Sequence, residues 1–164
     1  MILGMSLATF TQVHVVISLI AIVAGLIVMF GMLGSKPKPG LTAIFLLFTI
    51  LTSATGFVIP PLLSDKLLPS HMIGILSLLL LAIACIALYA MRLSGAWRWI
   101  YLLTALVSLY LNVFVLVIQS FLKVPALAAL APGNPPAGPV FAVVQGLVLV
   151  FFVVMIIGVW RRFR

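Results

Sequence analysis

The sequence predicts an all-α fold, an integral membrane bundle of five transmembrane helices with its N-terminus outside and its C-terminus cytoplasmic. Three observations carry this. Of the 164 residues, 66% are hydrophobic and 6% are charged, against about 45–50% and 25% in soluble domains. Five segments each hold the roughly 20 apolar residues that a spanning helix requires. The basic residues are divided unequally between the two sets of loops. A soluble domain would lack the charge to cover its surface, and a disordered chain requires low hydrophobicity. The expected surroundings are therefore a lipid bilayer.

The spans fall at about 10–33, 41–63, 71–93, 97–122 and 139–160 and form a single transmembrane domain over 1–164. None contains Asp, Glu or Lys, and Arg92 and Arg98 lie at span ends. The first span enters from outside as a retained helix, because no basic residue precedes Lys36 to serve a signal peptide. It ends at Ser35-Lys36-Pro37-Lys38-Pro39-Gly40, where both prolines lack an N–H and clash with the preceding turn. Pro60-Pro61 and Pro69 bracket the next loop. Ser70 is suited to cap the third span. A tight turn at Ser94-Gly95-Ala96 joins the third and fourth spans, with Gly95 as its flexible point. The longest loop, 123–138, begins with an apolar stretch, 124–131, expected at the membrane surface or docked on the bundle. Its continuation, Pro132-Gly133-Asn134-Pro135-Pro136, is expected to be extended and stiff.

Charge sets the orientation. Lys36, Lys38, Arg92, Arg98, Arg161, Arg162 and Arg164 fall on one side; Lys66 and Lys123 fall on the other with Asp65, the one acidic residue. Short cytoplasmic loops are enriched in Lys and Arg, so the set of seven marks the cytoplasm. Trp97, Trp99 and Trp160 then sit at that same interface, where indoles are favoured. The net charge of +8 is thus a topology signal. Its residues are scattered over loop ends and form no continuous patch for nucleic acid, although Arg161-Arg162-Phe163-Arg164 is placed to touch anionic lipid.

Polar side chains in lipid turn towards a bundle interior. In the fourth span Tyr101, Thr104, Ser108, Asn112 and Gln119 fall within roughly 80° of one another at 100° per residue. Thr42, Thr49, Ser53, Gly56 and Pro60 share a face in the second span, with Thr52 beside it, as do Thr11, His14, Ser18 and Gly25 in the first. The third span offers a looser stripe of His71, Ala82, Cys85 and Tyr89 with Gly74 at its edge; the fifth offers Gln145. Close helix packing accounts for such stripes, since small residues allow backbone approach and hydroxyls bridge helices. Asn112 lies roughly 15 Å deep, near the midplane, either as an interhelical clasp or as part of a ligand site.

His14 and His71 are the most specific feature. They belong to different spans at similar depth on the outer side. Neutral imidazoles ligate metals or hydrogen-bond a quinone, and two from separate helices are the minimum for a b-type haem. Asn112, Gln119, Gln145 and Tyr110 complete the candidate pocket, with Lys66 and Lys123 at its surface for haem propionates. The competing reading is an interfacial pair with wet edges and no ligand. A zinc site wants three or four ligands, and the lone Cys85 is too deep to join. No carboxylate lies in a span to carry protons or couple ions.

Leu51-Thr52-Ser53-Ala54-Thr55-Gly56-Phe57, Gly95-Ala96-Trp97-Arg98-Trp99-Ile100-Tyr101 and Leu109-Tyr110-Leu111-Asn112-Val113-Phe114-Val115 resemble segments of a family of small proteobacterial multi-pass inner-membrane proteins with no assigned function. The resemblance spans about 41–125. It implies a bacterial inner-membrane location and no particular chemistry. The chain carries no phosphate loop, nucleophile elbow, paired carboxylates or metalloprotease helix. The leading expectation is a non-enzymatic subunit or accessory protein that packs against itself or against a larger membrane complex. The alternatives are a haem- or quinone-binding electron-transfer protein and a small-solute carrier or channel built on Asn112, Ser108, Ser53 and Thr49.

Overall fold

The computed structural model describes residues 1–59 and 69–163. These are helical: α1 (Leu7–Leu33), α2 (Pro39–Gly56), α3 (Pro69–Cys85), α4 (Trp97–Lys123), the short α5 (Pro125–Leu130) and α6 (Pro139–Arg162). All but α5 are long and apolar enough to cross a membrane, α3 together with the π-helical turn that extends it to Ala90. The 27 residues of α1 span about 40 Å at 1.5 Å per residue, more than the roughly 30 Å hydrocarbon core.

Prolines start helices in this chain as much as they end them. Pro39, Pro125 and Pro139 occupy the first turns of α2, α5 and α6, where the missing N–H would have had no partner and the fixed φ suits the helix. Helix α2 accordingly begins two residues before the expected 41, and α1 starts at Leu7, where the Ser6 side chain accepts from the Thr9 N–H. Helix α3 is already helical at Pro69, so Ser70 lies inside the first turn and is not the cap expected for it.

Two spans stop short of their expected ends. Helix α2 closes at Gly56 and gives way to a turn over 57–59; a proline at 60 would clash with the carbonyl four residues back, that of Gly56, in a continuing helix. The rest of its expected stretch, to 63, lies outside the described residues. Helix α3 passes into the π turn and leaves it at Met91. Arg92 and Leu93 then adopt left-handed φ values of 49° and 56°, so the reversal begins before Gly95, which itself sits at φ 53°. The long loop differs too. Its 133–136 segment folds into turns, with a cis peptide before Pro135, and is not extended.

Helices α1 to α4 form a ring in chain order, closed by contacts between α1 and α4, while α6 packs on the α1/α4 side. Helix α4 touches every other helix, and its Leu102, Leu106 and Leu109 are fully buried. Gly25 makes the centre possible. A Cβ there would lie 2.6 Å from Leu109 Cδ1 and 2.8 Å from Phe45 Cδ2, so α1, α2 and α4 meet where α1 has no side chain.

One end of the bundle is tied by three links. The Ser35 hydroxyl donates to the Arg162 carbonyl at 2.7 Å. Trp99 stacks on Trp160 with ring centroids 4.5 Å apart. A Cβ on Gly158 would come 3.0 Å from Leu33 Cδ1. The α1–α2 loop, the start of α4 and the end of α6 are thereby gathered, and with them Lys36, Lys38, Arg92, Arg98, Arg161 and Arg162. Lys123, at the end of α4, lies at the opposite end.

Candidate functional site

The end opposite the basic one carries both histidines, because α1 and α3 each begin there and α2 ends there. His14 and His71 contact the same short segment, Thr55-Gly56-Phe57, at the close of α2. From α1, His14 places Nδ1 2.7 Å from Thr55 Oγ1. The Thr55 hydroxyl already donates to the Leu51 carbonyl at 2.6 Å. A hydroxyl has one proton, so His14 is the donor through Nδ1–H and its Nε2 carries the lone pair. A Cβ on Gly56 would meet His14 Cε1 at 3.5 Å, which places the ring edge against the α2 backbone.

His71 is buried at 8% exposure. Phe57 lies nearly parallel to it, with centroids 5.6 Å apart and an interplanar angle of 13°. Gly74, one turn further along α3, makes room: a Cβ there would stand 3.1 Å from Phe57 Cε2 and Cζ. The phenyl ring is therefore packed nearly parallel to the imidazole and offset from it. Among the described residues no group of three or more His, Cys, Asp or Glu comes together.

The remaining candidates are dispersed along α4 and α6. Gln145, on α6, is buried and donates through Nε2 to the Phe114 carbonyl of α4 at 3.1 Å. Its Oε1 is buried without a hydrogen-bond partner among the described residues, as is Nδ2 of the half-buried Asn112. Gln119 is half-buried on α4. Tyr110 packs its ring against Phe114 and Phe152, at 6.0 and 5.5 Å. Lys123 is exposed; Lys66 lies outside the described residues.

Most inward hydroxyls serve their own helices. Thr49 donates to Phe45 O, Thr104 to Ile100 O, Ser108 to Thr104 O and Ser120 to Leu116 O, all within 2.6–2.8 Å. This back-bonding lets a hydroxyl sit in an apolar interior without a partner on another helix. The stripe expected on α3 is only partly inward. His71 is buried, but Ala82 and Tyr89 are exposed, and the inner face continues through Ser77, Leu81 and Ala84.

Thr55 and Phe57 are the residues that sequence reasoning did not assign to the histidine end. Thr55 was not among the residues placed on the polar face of its span, and Phe57 is one of eleven phenylalanines. In comparisons with known proteins, no family model, no curated protein and no solved structure matched the chain.

Proposed function

We propose that this protein is a non-enzymatic subunit or accessory protein of a membrane assembly. We place it in the bacterial inner membrane, N-terminus outside and C-terminus in the cytoplasm. The observation that carries the role is where the hydroxyl protons go. Thr49 and Ser108, which would line a solute path, are buried and donate to carbonyls of their own helices. Most of the described residues lie in helices, five of them long and apolar enough to cross a membrane. The orientation is supported by six basic residues at one end against Lys123 at the other, among the described residues. Purification from native membranes in mild detergent, followed by cross-linking, is expected to recover a stoichiometric partner or a homo-oligomer. A lone monomer would overturn the reading.

A second reading has one specific observation in its favour. The Nδ1–H to Thr55 bond leaves His14 Nε2 unprotonated, and ligating histidines are commonly fixed through their other nitrogen in this way. Haem or quinone binding at His14 and His71 is tested by the absorption spectrum and by quinone extraction of the purified protein.

A further inference from the structure

At the basic end, the outer surface of α1 carries a cleft of about 550 Å³ lined by Val23, Leu26, Ile27, Phe30, Gly31, Lys36 and Lys38. Its floor is apolar and faces outward: Val23, Ile27 and Phe30 are 57%, 40% and 52% exposed. These residues follow one another at helical spacing over roughly 10 Å of axis, at 1.5 Å per residue. One end of the cleft is closed by the loop that follows α1. There the chain doubles back, with Ser35 at φ 53° and the Lys36 N–H donating to the Gly31 carbonyl at 2.8 Å. Gly31 permits the fold-back, because a Cβ on it would stand 2.8 Å from the Lys36 carbonyl oxygen and 3.4 Å from Lys38 Cδ and Cε. The loop thus lays the Lys38 stem over the end of the apolar stripe.

We infer that this cleft is a binding site for one anionic phospholipid, with an acyl chain along Val23, Ile27 and Phe30 and the phosphate between Lys36 and Lys38. Two features select that occupant. The floor lies within a span, so what fills it in a membrane is hydrocarbon. Lys36 and Lys38 line the cleft where the span ends, and no described residue offers them a side-chain carboxylate. A zwitterionic lipid would bring its own cation into that field, whereas an anionic headgroup neutralises it.

The test is native mass spectrometry of the full chain in neutral detergent, titrated with phosphatidylglycerol, with phosphatidylcholine and with glycerol phosphate alone. One phosphatidylglycerol is expected to bind in preference to phosphatidylcholine, and glycerol phosphate is expected not to bind. Lys36→Gln with Lys38→Gln is expected to weaken the adduct roughly 30-fold, about fivefold for each lysine. Arg161→Gln with Arg162→Gln removes the same charge nearby and is expected to leave it within about threefold. Equal binding of the two lipids, or equal loss in both double variants, would overturn the site. A photoactivatable phosphatidylglycerol on the unaltered protein keeps the test open if the lysine variant fails to fold. Labels within 23–30 support the site, and labels elsewhere overturn it.

Discussion

His14 and Thr55, 41 positions apart, are joined by a 2.7 Å hydrogen bond that fastens the first third of α1 to the last turn of α2. Polar bonds between membrane helices average about 0.6 kcal/mol and reach about 1.7. Thr55→Val keeps the shape and removes the acceptor. It is expected to cost about 1 kcal/mol of stability in detergent, while Thr55→Ser retains most of it. The same pair predicts the imidazole tautomer: nitrogen NMR should find Nδ1 protonated and Nε2 bare. Equal stability of the valine and serine variants would mean that the bond contributes nothing.

Phe57 packs against His71 at 5.6 Å, beside one of the two candidate ligands. The non-enzymatic reading expects no Soret band in protein purified from its native membrane. A band that disappears in both His14→Ala and His71→Ala would replace it with the haem reading. Phe57→Ala removes that packing alone; because Phe57 is half-buried, it is expected to cost less than the roughly 3 kcal/mol of a core phenylalanine, without creating absorbance.

Gly25 and Gly146 form a matched pair. At Gly25 an added Cβ meets Leu109 and Phe45 at 2.6–2.9 Å; at Gly146 nothing lies within 4 Å. Gly25→Ala is expected to lose about 1–3 kcal/mol through overpacking, and Gly146→Ala to be neutral or slightly stabilising. Thermal unfolding in detergent measures both. A tolerant Gly25 would mean that α1, α2 and α4 are not in the close contact described.

How far the sequence reaches can be seen in these residues. The number and order of spans follow from apolar runs and proline breaks, which depend on local composition alone. Gly25, Thr104 and Ser108 were legible as inward positions, because the 100° period places them with other small or polar residues. The inner face of α3 was not. Ser77, Leu81 and Ala84 differ little in polarity from their lipid-facing neighbours, and in a membrane both sides of a helix are apolar. Nor was Phe57 legible over His71, because that contact depends on where α2 ends and on the room left by Gly74.

Orientation can be read with impermeant thiol labelling. With Cys85→Ala as background, a cysteine at Ser94, at the basic end, is expected to react only after the membrane is opened. A cysteine at Asn134, in the long loop, should react in intact cells. The reverse pattern would invert the proposed topology and place the basic end outside, against the charge bias of short loops.

Asn112 and Gln145 present complementary unmet groups, a buried donor at Nδ2 and a buried acceptor at Oε1. A polar atom left unpaired in a low-dielectric interior is destabilising by about 1–3 kcal/mol. If both amides serve only packing, removing them relieves that cost. Asn112→Leu is then expected to be neutral or stabilising. Gln145→Leu forfeits its bond to the Phe114 carbonyl but also removes an orphaned oxygen, so its net change should stay within about 1 kcal/mol. A solute path through the bundle would behave oppositely, because its walls must keep polar groups ready for a passing ligand. Liposome flux of small solutes that is present in the unaltered protein and lost in Asn112→Leu would establish the carrier reading over the one proposed here.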